Sequence, residues 1–302
     1  MHRYLIILAG PTAVGKTSVS LHIARHFDIP VISSDSRQVY KEMMIGTARP
    51  SEEEMQGIKH YFIGNLSIKD HYNAGRYEED VLKLLEEVYQ NSEYALLAGG
   101  SGLYINAVCN GIDQFPSADL SLRKELTEVF ENEGLESIRS MLKKLDPVHY
   151  DRVDLKNPKR ILKALEVSIA AGKPYSSFLT KPEKKRNFTP VWIGLNRERE
   201  ELYERINQRV DQMMEAGLPD EAKRLYPYRD ENALNTVGYK ELFDYFDGET
   251  DLEEAVRLIK RNSRHYARRQ LIWFNKNEKI KWFHPDEIDS IIAYVEKATA
   301  KK

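Results

Sequence analysis

Apolar runs at residues 5–9, 30–33, 95–98 and 191–195 punctuate the chain, and between them apolar residues recur at every third or fourth position. A short apolar run that stops at Gly, Ser or Asp reads as a buried strand, and the longer period as a helix. The alternation predicts an α/β core, a parallel sheet with helices on both faces. From residue 112 to 186 the pattern changes. Leu122, Leu126, Val129 and Phe130, then Ile138, Met141, Leu142 and Leu145, then Ile161, Leu162, Leu165 and Ile169 keep helical spacing with no strand between them. This predicts an all-helical insertion, bounded by turn-forming residues 111–116 and by the basic, Pro-containing run 181–186. The expected organisation is residues 1–111 as the first part of the core, 112–186 as the insertion, and 187–302 as core completion with basic C-terminal helices. After the fourth strand, Leu202, Ile206, Val210 and Met213 mark an amphipathic helix that Gly217 closes in a left-handed conformation; helices over 252–274 and 285–299 follow.

The first strand runs into Gly10-Pro11-Thr12-Ala13-Val14-Gly15-Lys16-Thr17, and a helical pattern begins at once. This is the phosphate-cradling motif in the context it requires, so the core is expected to be P-loop NTPase-like. Gly10 and Gly15 permit a turn that points backbone N–H groups inward, and the helix dipole adds positive potential. Lys16 supplies an ammonium, and Thr17 a hydroxyl for Mg2+. A polyphosphate or a diphosphate ester is expected here. The loop by itself leaves open whether that phosphate belongs to a nucleotide.

The chain has 302 residues, 41% hydrophobic and 30% charged, enough for one elaborated domain or two. Cys109 is the only cysteine, so no internal disulfide forms; a reducing, cytoplasmic setting and a packed, unreactive thiol are expected. No stretch approaches the roughly 18 apolar residues of a bilayer span, and the N-terminus leads into a strand, so neither membrane nor signal peptide is expected. The net charge of −2 is uninformative about nucleic acid, but its distribution is not. Residues 257–277 hold Arg257, Lys260, Arg261, Arg264, Arg268, Arg269 and Lys276 with no acidic residue. Arg257, Arg261, Arg264 and Arg268 share one helix face, expected to meet a phosphate backbone, while Val256, Ile259, Tyr266 and Trp273 fall on another.

Asp35 follows the second strand, where ligands of α/β sheets react. Its candidate roles are proton acceptor, magnesium ligand, or simply the anchor of an Asx turn. The third strand ends in Gly99-Gly100-Ser101-Gly102, where phosphate-hydrolysing P-loop proteins often carry a magnesium-ordering Asp. Small residues at that place suggest a channel that lets a bulky organic substrate approach the backbone. Arg209 is either a surface guanidinium or a second cation on the phosphates.

In succession, the loop, Asp35-Ser36-Arg37-Gln38-Val39-Tyr40-Lys41, Ile45-Gly46-Thr47-Ala48-Arg49-Pro50, Gly99 to Tyr104, Arg160-Ile161-Leu162-Lys163-Ala164-Leu165-Glu166, Val237-Gly238-Tyr239-Lys240-Glu241 and the segment from Tyr266 to Phe274 resemble the tRNA dimethylallyltransferases. The resemblance covers nearly the whole chain. It implies transfer of a dimethylallyl group from its diphosphate to N6 of the adenosine 3′ of a tRNA anticodon, assisted by Mg2+, by a cytoplasmic enzyme expected to be a monomer. It implies that Gly10 through Thr17 (Pro11, Thr12, Ala13, Val14, Gly15 and Lys16 between) hold the donor, with Arg209 beside the diphosphate. Asp35 would accept from or deprotonate the amine, and Asp35, Ser36, Arg37 and Gln38 would touch the base and its neighbours. Ser101 stands where the family usually has Thr and keeps the hydroxyl. Arg123 with Lys159, Arg160, Ile161, Leu162 and Lys163 would hold the anticodon stem-loop, Lys159 keeping charge but not the bidentate geometry of Arg. The competing readings are a small-molecule kinase using ATP, a nucleotide-switched RNA-binding protein, and a prenyltransferase acting on free adenine nucleotides.

Overall fold

The computed structural model describes residues 2–113, 115, 120–179 and 184–300. Their contacts divide the chain into two compact units, one of Met1–Cys109 with Lys185–Lys302 and one of Asn110–Lys184. Parts of the bounding runs 111–116 and 181–186 lie outside the described residues.

The larger unit is built on a six-stranded parallel sheet among the described residues, β1 Tyr4–Ala9, β2 Val31–Ser34, β3 His60–Tyr61, β4 Tyr94–Gly99, β5 Thr189–Leu195 and β6 Lys281–Phe283, in the order β3-β2-β4-β1-β5-β6. Ile6, Leu8, Leu96, Ile193 and Leu195 are buried between helices, as a sheet covered on both faces requires. This is the P-loop NTPase-like arrangement. In register, Ser34 lies beside Gly99, Gly99 beside Ala9, and Ala9 beside Gly194. The segments after β1, β2, β4 and β5 therefore leave one edge of the sheet together, and the site is assembled there.

Two strands escape the sequence pattern. β3 and β6 have two and three residues, too few to show a period, and each contributes a polar His or Lys. Helices Leu218–Leu225 and Tyr239–Phe246 were likewise not legible. Gly217 does close the helix Arg199–Glu215 with φ +93° and also opens the next. Cys109 is buried, and burial pushes its thiol up to about 12, as befits an inert packed residue.

The smaller unit is helical and has its own core of Leu126, Ile138, Leu142, Ile161, Ala164 and Leu165. Asp146 is wholly buried there, where its carboxylate accepts from the backbone of His149 at 2.9 Å and of Ser176 at 2.6 Å. Among the described residues of the chain, no helix is long and apolar enough to cross a membrane.

Candidate active site

The loop after β1 turns through left-handed backbone at Ala13, φ +62°, and at Gly15, φ +112°, the residue that caps helix Lys16–Phe27. Gly10 is needed for a different reason than the turn. A Cβ there would lie 2.9 Å from the Leu195 carbonyl, so it is close approach to β5 that demands glycine. The loop carbonyls are tied outward. Arg205 Nε donates to Ala13 O at 3.0 Å and Arg197 Nε to Val14 O at 2.9 Å. With these two carbonyls engaged by arginines, the N–H groups of the loop other than that of Thr12 are left for an anion.

Lys16 Nζ donates to Gly10 O at 3.0 Å and Pro11 O at 2.6 Å. Burial, reinforced by the Arg209 charge and opposed by Asp35, lowers its pKa from 10.5 to about 7. Arg209 reaches in from helix Arg199–Glu215, with Thr12 Oγ1 at 3.4 Å and Ala48 O at 3.3 Å. Burial also lowers the Arg209 pKa, yet a guanidinium stays charged. Thr17 lies in the first turn with its side chain exposed.

Asp35 anchors an Asx turn, Oδ1 accepting from the backbone N–H of Arg37 at 2.9 Å and of Gln38 at 3.3 Å. Both bonds use one oxygen, so the turn and a chemical role are compatible. Ser101 Oγ accepts from Ser36 N–H at 2.9 Å, joining the ends of β2 and β4. Gln38 sends its amide nitrogen to Thr47 O and Ala48 O, each at 3.1 Å. Thr12, Ala13, Asp35, Ser36, Arg37 and Arg209 line one pocket of about 660 Å3, closed on another side by Arg261, Tyr266 and Arg269 of helix Leu252–Phe274.

Tyr266 is a site residue that the sequence did not single out. Its phenol stands beside Ser101, and burial, together with the charge of Asp35, pushes its pKa up to about 12. A Tyr on an apolar face normally reads as core, and only the fold brings this one to Asp35 and Ser101. Trp273, assigned to the same face, is 46% exposed. Gly100 and Gly102 also need correction as a substrate channel. A Cβ at Gly100 would lie 2.2 Å from Gln270 Nε2, and one at Gly102 would lie 2.2 Å from the Trp273 ring. The protein's own helix fills the room these glycines leave.

The basic helix is less bare than its composition indicates. Arg257 pairs with Glu254 at 2.5 Å, Lys260 with Asp211 at 2.6 Å, and Arg264 donates to Asn207 at 2.5 Å. The partners come from the first turn of the same helix and from the neighbouring helix, outside the segment that looked uncompensated. Arg261, Arg268 and Arg269 are exposed.

In the smaller unit, Asn157 caps helix Pro158–Ala171, its side chain accepting from Arg160 N–H at 3.3 Å. Lys159 and Arg160 are exposed. Ile161 is fully buried in the unit's core and Leu162 packs against it, so the Ile161 side chain cannot meet RNA. A helix start must turn some residues of any five inward. Arg123 and Lys163 both pair with buried Glu166, at 3.7 Å and 3.2 Å.

The geometry is matched by kinship. A family model described as IPP transferase matches residues 38–277. A protein of Parabacteroides distasonis named tRNA dimethylallyltransferase 2 is 53% identical over 96% of this chain and 97% of its own length. A protein of Bacteroides fragilis named tRNA dimethylallyltransferase 1 is 50% identical over 97% of each chain. Among solved structures, the tRNA isopentenylpyrophosphate transferase of Bacillus halodurans superposes with a TM-score of 0.73 at 38% identity, covering 98% of this chain and 96% of that one. A eukaryotic dimethylallyltransferase described as acting on tRNA gives 0.79 at 25% identity, over 98% of this chain and 77% of that one. A phosphate loop, a carboxylate and a half-buried pair of cations at one sheet edge, in a chain with these relatives along nearly its whole length, place this protein in the IPP transferase family.

Proposed function

We propose that the protein transfers the dimethylallyl group of dimethylallyl diphosphate to N6 of the adenosine immediately 3′ of a tRNA anticodon. The observation that carries this reading is that Asp35 and Arg209 line one pocket and that the charge of Lys16, held in the loop behind them, acts on both. Two cations suit a leaving diphosphate, and a carboxylate suits the proton of an attacking amine. The names of the relatives, tRNA dimethylallyltransferase, and the eukaryotic structure acting on tRNA support both substrates.

The adenine N6 lone pair forms a bond to the allylic carbon as the carbon–oxygen bond to diphosphate breaks. The electron pair leaves on diphosphate, where Lys16 and Arg209 neutralise it, and the amine proton passes to Asp35 Oδ2, the oxygen outside the Asx turn. Ser101 and Tyr266 stand beside Asp35 to orient the base. The base must leave its stack to reach the pocket, at a cost of a few kcal/mol. Lys159, Arg160, Arg261 and Arg268, all exposed, offer phosphate contacts that offset it. Thr17, exposed in the first turn of the helix after the loop, fits Mg2+ as a hard oxygen donor and would hold it there. The ion supplies further neutralisation of the leaving group when bound.

Thermal shift separates this reading from a kinase. The unreactive thio analogue of dimethylallyl diphosphate should raise the melting temperature. A larger shift with ATP, and none with the analogue, would point to the kinase.

A further inference from the structure

Resting on the reading of the loop as the donor site, we propose that Gln270 is a positioning residue that sets the loop's conformation for the prenyl diphosphate. It stands on helix Leu252–Phe274, 7% exposed, and its amide bridges two strand ends. Oε1 accepts the Thr12 N–H at 2.9 Å, and Nε2 donates to Gly100 O at 2.9 Å. The amide is packed against Gly100, where a Cβ would lie 2.2 Å from Nε2. Holding an N–H and a C=O at once needs a donor and an acceptor on one planar group, which a glutamine amide provides without charge.

The bond occupies the Thr12 N–H and so ties down the residue whose hydroxyl meets Arg209, 3.4 Å away. The neighbouring carbonyls are held by Lys16, Arg205 and Arg197. Gln270 is the tie on the N–H side of this loop. Without it, Thr12 is released, and Arg209 loses a fixed partner on the diphosphate side of the pocket.

Gln270→Met and Gln270→Glu test the assignment. Both should lower kcat/KM for dimethylallyl diphosphate by about 10- to 100-fold, the effect of losing the donor bond in Gln270→Glu and both bonds in Gln270→Met, and leave the tRNA Kd within about twofold. Gln270→Glu carries a signature that simple loss of packing lacks. Its carboxylate turns lone pairs toward Gly100 O, whereas its protonated form restores both a donor and an acceptor. The ratio of its donor kcat/KM to that of the native enzyme should rise as pH falls from 8 to 6, with no such rise for Gln270→Met. Lys16, Arg197 and Arg205 around the loop, Asp35 beyond Ser101, and Tyr266, Arg268 and Arg269 on the same helix are common to all forms and divide out. Calorimetry with inorganic diphosphate should show the same ordering of affinities, so the loop is tested even if no prenyl group were transferred. Native donor kcat/KM and diphosphate affinity in Gln270→Met, or a Gln270→Glu profile parallel to native at every pH, would overturn the proposal.

Discussion

The Lys16 ammonium lies 2.6 Å from the carbonyl of Pro11, turned onto the loop that precedes it. Burial, with help from Arg209, brings its pKa to about 7. A diphosphate reverses that balance by adding negative charge, so the bound-state pKa is higher than the free one. Above pH 7 donor binding must then take up a proton, and affinity should fall by up to tenfold per pH unit until the bound-state pKa is reached. Below pH 7 this group contributes no slope. Calorimetry of the thio analogue in buffers of different ionisation enthalpy should find uptake approaching one proton near pH 8; a flat affinity from pH 6 to 9 would contradict this.

Asp35 holds a turn and, in the proposed mechanism, takes a proton, and the two can be separated. Asp35→Asn keeps an oxygen for the Arg37 and Gln38 N–H groups but is no base. It should lose about two to four powers of ten in kcat, as Asp35→Ala should, with tRNA affinity nearly unchanged. Near-native turnover in Asp35→Asn would leave Asp35 as a turn residue only.

Arg261 and Arg268 are exposed, whereas Arg257 is paired with Glu254. Neutralising either of the first two should flatten the salt dependence of tRNA binding by about one unit, and Arg257→Ala should change it least. Filter binding over a range of salt concentrations reads this directly. Equal slopes for all three would mean that the helix does not meet RNA.

Glu221 is buried and holds a segment that shapes the pocket. It accepts the N–H groups of Met44 at 3.0 Å, Ile45 at 2.9 Å and Gly46 at 2.9 Å, and the Tyr239 hydroxyl at 2.7 Å. The next carbonyls, of Thr47 and Ala48, receive Gln38, and Ala48 also receives Arg209. Glu221→Leu strands three N–H groups and should destabilise by about 3 kcal/mol or more, whereas Tyr239→Phe should cost about 1 kcal/mol. Chemical denaturation measures both, and a smaller loss in Glu221→Leu than in Tyr239→Phe would refute this account.

Local pattern carried the central strands, the phosphate loop and the helix Leu252–Phe274 because each is written in contiguous residues. It missed β3 and β6, which form only because β2 and β5 offer them an edge. The site was half legible for the same reason. Lys16 and Asp35 follow strands and announce themselves, but the contacts of Tyr266 and Gln270 with Ser101, Thr12 and Gly100 span 165 residues or more of chain. Gly100 and Gly102 signalled close approach correctly; what approaches them was beyond local reading. Ile161 shows the converse, a residue inside a basic motif whose helical phase sends it into the core.

Incubation with labelled dimethylallyl diphosphate and tRNA, followed by digestion and location of the label, tests the central claim most directly. The label should sit on N6 of a single adenosine, directly 3′ of the anticodon, with diphosphate released in equal amount. Label on free adenine nucleotides but not on tRNA, or on no adenosine at all, would contradict it.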